Sequence, residues 1–144
     1  MKIYVASSWR NDRQPDVVNK LRYKGHDVYD FKNPPNRSGF AWEQLDPNWE
    51  RWGADQFIMH LSHPDAKAGF REDMWHLGNA DLTVLVMPCG RSAHLELGWA
   101  VGRGQRTAVL LSVSRSEPEL MWKMADLITT SLYDLARWID HPHD

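Results

Sequence analysis

Short β-branched runs alternate along this chain with segments whose apolar residues recur at helical spacing. Ile3-Tyr4-Val5-Ala6 predicts a strand at the very start, and residues 7–13, polar apart from Trp9, predict a loop. Val17, Val18 and Leu21 place a helix over 15–23, closed by a basic last turn and Gly25. Residues 26–31 alternate around Val28 and Tyr29 and predict a second strand. The rhythm then breaks. Asn33-Pro34-Pro35-Asn36 is a turn cluster, and residues 32–65 form an excursion rich in Phe and Trp, with short helices expected over 42–46 and 48–61. Such an excursion inside a small domain is expected to act as a lid or a site wall. A helix follows over 65–78. Residues 82–87 are a continuous apolar run, the pattern of a strand buried on both faces. After a loop at 88–91, Ser92 is the expected N-cap of a helix reaching about residue 102, where Gly102 and Gly104 stop it. A strand over 107–111, a helix over 117–126, a short strand over 127–130, a helix over 131–139 and an irregular tail at 141–144 complete the prediction.

Strands alternating with helices imply an α/β domain with a parallel sheet covered on both faces, and one domain spans residues 1–144. In such sheets ligands bind beyond the carboxyl ends of the strands, where strand order reverses. That singles out the loop at 7–13 and the loop at 88–92.

Composition narrows the partners. With 17 basic and 19 acidic residues the net charge is -2, which offers no excess to neutralise a phosphate backbone, so polymeric nucleic acid is not an expected partner. Cys89 is the single cysteine, so neither a disulfide nor a multi-cysteine metal site is expected, and a reducing, cytoplasmic setting fits. No apolar run is long enough to suggest a membrane span. The chain carries eight Trp, whose flat surfaces suit a core, a subunit interface or a site for planar rings.

The candidate chemistry lies near the two loops. Glu96 follows Gly90-Arg91-Ser92-Ala93-His94-Leu95 early in its helix, where the positive helix terminus is expected to keep a carboxylate ionised and able to act as nucleophile or base. Asp73 sits in the preceding helix, where a solvated face is the reading its neighbours favour, and Asp81 abuts the buried strand, where capping or a turn is the simpler role. Two carboxylates in different surroundings are what glycosidic cleavage requires. Tyr4 projects to the opposite face from Ile3 and Val5 and could orient a carboxylate. Trp9 and Arg10 could stack on a base or meet an anion, and Gly90, Arg91 and Ser92 at a helix start could hold an anion. Other motifs are weaker. The glycines at 98, 102 and 104 end a helix and are no dinucleotide fingerprint, His60 and His63 lack metal-ligand context, and no metal is expected. Cys89 precedes a helix without an assured partner histidine.

The segment from Ile3 to Gln14, with its strand Tyr, loop Trp and Asp12-Arg13-Gln14, resembles the opening of nucleoside 2'-deoxyribosyltransferases. Glu96-Leu97-Gly98-Trp99-Ala100 resembles that family's Glu-Leu-Gly-aromatic-Ala block, and Asp73 with Asp81 resembles its spaced acidic pair. The wider superfamily includes 2'-deoxynucleoside 5'-monophosphate N-hydrolases. The resemblance implies a flavodoxin-like or Rossmann-like three-layer fold with a mainly parallel, about five-stranded sheet. It implies Glu96 as nucleophile at the anomeric carbon, Asp73 assisting proton transfer at the departing base, Tyr4 orienting Glu96, and Trp9 lining the base pocket. Leu120-Met121-Trp122 loosely resembles the region that reaches a neighbouring subunit's site, so Met121 is a candidate substrate contact in a homo-oligomer with shared sites; Glu119 stands where the transferases carry an Asn. The implied substrate is a nucleoside or nucleotide, and no cofactor is required. A sensor that binds such a ligand without turning it over is the alternative on the same fold.

Overall fold

A computed structural model of the chain describes residues 1–35, 37–114 and 117–143. Its elements are β1 (Lys2–Ala6), α1 (Gln14–Tyr23), β2 (Asp27–Asp30), α2 (Ala54–His60), α3 (Pro64–Asn79), β3 (Leu82–Val86), α4 (Arg91–Gly102), β4 (Arg106–Leu110), β5 (Leu127–Thr129) and α5 (Leu132–Asp140), with short 3-10 turns at Trp42–Gln44, Trp49–Arg51 and Leu120–Met124. The sheet order is β2-β1-β3-β4-β5 and every neighbouring pair is parallel, the flavodoxin-like order expected.

Period-two alternation builds two cores. Ile3, Val5, Val84 and Leu110 face one side, where Val17 and Leu21 of α1 and Leu135 and Ile139 of α5 close over them. Tyr4, Ala6, Leu85 and Val109 face the other, against Leu77 of α3 and Ala93, Leu97 and Ala100 of α4. β3 is buried along its whole length, which is why its sequence is apolar without alternation. Asp81 has a structural role, though not the cap or turn expected of it: its Oδ2 accepts from Lys2 N at 2.8 Å and ties the entries of β1 and β3 together. No helix among the described residues is long and apolar enough to cross a membrane.

Three expectations are corrected. The helix over 117–126 is only the 3-10 turn Leu120–Met124. Glu119 is extended and its side chain accepts from Met121 N at 3.0 Å, which starts the turn there, and of the turn only Trp122 is buried, so no apolar stripe supports a longer helix. The helix over 48–61 is split, because Trp52 and Gly53 are extended between the turn Trp49–Arg51 and α2. Ser92 is not a cap: α4 already starts at Arg91, from an extended Gly90 that makes no side-chain capping bond. The turn cluster at 33–36 and the tail are irregular as expected, with Asn36 and Asp144 lying outside the described residues.

The excursion is held by its own aromatic cluster. Trp42 meets Phe40, Trp52 and Phe57 edge-on, and Trp52 stacks on His60 with ring centroids 3.9 Å apart. Gly39 and Gly69 seat this cluster on the domain. A Cβ on Gly39 would lie 2.5 Å from the Trp9 ring, and one on Gly69 would lie 3.0 Å from Phe40 Cβ.

Candidate active site

Strand order reverses between β1 and β3, and there the loop after β1 and the loop before α4 part to form a cleft. Buried side chains set both loops. Asn11, almost fully buried, donates from Nδ2 to the carbonyls of Val86 and Pro88, while its Oδ1 accepts from Arg13 N and Gln14 N at the start of α1. Ser7 Oγ donates to the same Val86 carbonyl at 2.9 Å. One asparagine thus clamps the β1 loop to the β3 exit and caps α1 in the process.

The cleft holds about 710 Å³, within the range that accepts a small organic ligand. Its floor is Tyr4, Tyr29, Asp73 and Glu96. One wall is Ser7, Ser8, Trp9 and Arg10 with Gly90, Arg91 and Ser92. The other is the excursion, through Arg37, Phe40, Trp42, Glu43 and Trp49. Eight of the nine site residues singled out by sequence therefore meet in one cleft. Met121 is the exception: it is exposed on the 3-10 turn and does not line the cleft of its own chain.

The floor is two tyrosines, each holding a carboxylate. Tyr4 and Tyr29 are register partners on β1 and β2, and their rings stack with centroids 5.3 Å apart. The Tyr4 hydroxyl donates to Glu96 Oε2, and the Tyr29 hydroxyl donates to Asp73 Oδ1 at 2.8 Å. His76 stacks on the far face of Tyr29 at 3.9 Å, and Glu72 Oε1 lies 3.4 Å from its Nε2. Burial first, then the charges of Glu96 and Asp73, hold the Tyr4 phenol far above its ordinary pKa, so it stays a hydrogen-bond donor. The Tyr29 phenol is raised in the same way, by burial and then by its bond to Asp73.

The electrostatics of Glu96 reverse the expectation from its helix. It lies past the first turn of α4, where the helix-terminal field has faded, and burial dominates. Burial raises its pKa to about 7, opposed by the Tyr4 hydrogen bond and reinforced by the charge of Asp73. Asp73 is also raised, by burial, while the Tyr29 bond and the charge of Arg37 pull it back. The solvated face that the residues around Asp73 favoured is thereby corrected: the side chain lines the cleft and is held by Tyr29.

A stability consequence follows. Because folded Glu96 binds its proton more tightly than the unfolded chain does, stability is greatest below about pH 4.5 for this group and declines as pH rises through about 7. The shift from 4.5 to about 7 corresponds to roughly 3 kcal/mol. Urea unfolding of Glu96→Gln is therefore expected to show a smaller loss between pH 5 and pH 8 than the parent protein, and an unchanged loss would contradict the burial of a titrating carboxylate.

Cys89 has no base to activate it. Burial, then the Glu96 charge, pushes its thiol up to about 12. His94 lies 3.8 Å away, but its Nδ1 is 2.8 Å from the Gly90 carbonyl and its Nε2 accepts from Trp122 Nε1, an arrangement that places the ring proton on Nδ1 and spends it on the backbone. Among the described residues no cluster of His, Cys, Asp and Glu could hold a metal ion.

Tyr29, Arg37 and Glu72 were not singled out by sequence. The signal for Tyr29 lies in strand register, since its partner is Tyr4, and register is set by sheet pairing.

No family model matches the chain and no curated protein does. Solved structures do match. A CMP N-glycosidase of Clostridium botulinum is 16% identical with a TM-score of 0.54, covering 97% of this chain and 99% of its own. A 2-deoxyribosyltransferase of Bacillus psychrosaccharolyticus is 22% identical with a TM-score of 0.60, covering 94% of this chain and 90% of its own. A conserved protein of Enterococcus faecalis is 16% identical with a TM-score of 0.62, covering 99% and 98%. At these identities the likeness shows a shared fold along nearly the full length of each chain.

Proposed function

We propose that this protein cleaves the N-glycosidic bond of a nucleoside or nucleotide and passes the sugar to a second base or to water. The observation that carries this is the paired floor: two half-buried carboxylates in one cleft, each held by one of two stacked tyrosines. The fold is shared with an N-glycosidase and a deoxyribosyltransferase, which supports the same chemistry.

Ionised Glu96 attacks the anomeric carbon. The carbon–nitrogen bond breaks, its electron pair goes to the base nitrogen, and Asp73 supplies the proton that neutralises the departing base. Tyr4 keeps Glu96 Oε2 in place, so attack falls to the other carboxylate oxygen. In the second step water or a second base displaces Glu96 and gives its proton to Asp73, which restores both groups. Two displacements retain the configuration at the anomeric carbon. Trp9 and the excursion aromatics supply flat walls for a base. Ser8, Arg10, Arg91 and Ser92 supply a polar, cationic wall for the sugar end, with or without a 5'-phosphate. Met121 serves this chemistry only from a neighbouring subunit, so a homo-oligomer with shared sites belongs to the same proposal.

Incubation with deoxynucleosides and their 5'-monophosphates, with and without a second free base, tests it. Free base is expected in every productive mixture, and a new nucleoside where transfer competes with water. Binding of these ligands with no product after long incubation would instead favour a sensor.

The seating of the excursion predicts a separable effect. Gly39→Ala forces the Trp9 ring aside, so KM is expected to rise several-fold while kcat stays within about twofold, as for loss of uniform binding. Steady-state kinetics would contradict this by showing kcat as the parameter that falls.

A further inference from the structure

We propose that Tyr29 is a positioning residue for Asp73: clamped between Tyr4 and His76, its hydroxyl occupies Oδ1 and leaves Oδ2 as the oxygen that carries the proton to and from the base. This rests on the proposed glycosidic chemistry for its consequence, though not for its geometry.

Three rings form a column along the back of the floor, Tyr4 on Tyr29 at 5.3 Å and 25°, then Tyr29 on His76 at 3.9 Å and 13°. Trp75 meets His76 edge-on at the end of it. Tyr29 is about 7% exposed and its ring has a stacking partner on each face. Its hydroxyl is thus delivered to a fixed point, and that point is 2.8 Å from Asp73 Oδ1. Asp73 comes from α3 and Tyr29 from β2, so the bond joins two elements that the chain separates by the whole excursion.

A carboxylic acid carries its proton on one oxygen. An oxygen already accepting from a phenol is the poorer place for it, because that lone pair is engaged and its negative charge stabilised. The proton therefore resides on Oδ2. When the carbon–nitrogen bond breaks, the proton leaves Oδ2 for the base nitrogen that has taken the bond's electron pair. In the second step Oδ2 takes a proton from water or the incoming base. Tyr29 keeps its own proton throughout, since its phenol is held well above the ordinary range. The other groups that bear on Asp73 are Glu72 and His76 on α3, Arg37 beside the cleft, and Tyr4 and Glu96 across the floor. Arg37 and His76 favour its ionised form and Glu72 disfavours it, so removal of the Tyr29 hydroxyl is a change of one interaction among several.

Tyr29→Phe keeps the ring column and removes only the hydroxyl. Carboxyl carbon NMR titration of the whole protein, with the Asp73 resonance assigned by its loss in Asp73→Asn, reads the effect without any substrate. Asp73 is expected to titrate about one unit higher in Tyr29→Phe, the size of a lost hydrogen bond to a charged acceptor. An unchanged Asp73 titration would overturn the proposal. Kinetics supply the second reading: kcat for base release is expected to fall about tenfold with KM within twofold, and the alkaline limb of the pH profile to move up. A fall in kcat with both limbs fixed would mean that the hydroxyl is structural only, and would also overturn it. Should the parent protein release no base from any substrate, the glycosidic reading fails by itself while the NMR titration still decides the role of Tyr29.

Discussion

Glu96→Ala is expected to lower base release by at least about 10³-fold, the scale of losing a nucleophile rather than a binding contact. In the proposed mechanism this carboxylate carries the covalent sugar; of the other candidate nucleophiles, Tyr4 retains its proton and Cys89 has no base. The fold is expected to survive. Glu96 is half-buried on the cleft side of α4, and the helix is held to the sheet by Ala93, Leu97 and Ala100 instead. Circular dichroism should therefore match the parent, and ligand binding should persist with little change in affinity. Parent-like turnover in this variant would remove Glu96 from the mechanism. The pH profile bears on the same group. With Glu96 raised to about 7, base release requiring its ionised form should fall away below neutrality, and the two limbs belong to the Glu96–Asp73 pair rather than to either alone.

Asp73→Asn is the second large effect, about 10² to 10⁴-fold in kcat, the usual worth of a positioned acid or base. The amide can still accept from Tyr29, so the ring column and the floor geometry remain. What it cannot do is give up a proton at neutral pH. The loss should therefore depend on the leaving group. A base that departs readily without protonation should show a much smaller loss than one that needs it, while Glu96→Ala should be equally damaging to both. Equal losses for the two kinds of base in Asp73→Asn would place the aspartate outside proton transfer.

The sheet was legible because its signals are local. The apolar run at 82–87 and the helical spacing of Val17, Val18 and Leu21 point to the same packing that the structure uses. The excursion was legible as an interruption but not in detail: Trp42, Trp52 and Phe57 pack on one another rather than on the main core, so no period of two or three-and-a-half describes them. The segment at 117–126 misled for a related reason, since Leu120, Met121 and Met124 are apolar yet exposed. Within the site, Glu96 could be placed at the crevice from topology alone, whereas Asp73 lies in a helix whose local sequence, Arg71-Glu72-Asp73-Met74, reads as solvated. The sign of the Glu96 shift was out of reach, because the helix terminus is visible in a sequence and the burial that outweighs it is not. Tyr29 was missed because its meaning depends on lying opposite Tyr4.

The central claim is that a sugar becomes bonded to Glu96. A nucleoside fluorinated at the 2' carbon slows departure of the sugar from the enzyme by destabilising the positive charge that develops at the anomeric carbon. Intact-protein and peptide mass spectrometry after incubation with such a substrate should find one sugar per chain, on the peptide containing Glu96, and none in Glu96→Ala. Release of base with the sugar on another residue, or with no adduct and an inverted product, would contradict the account.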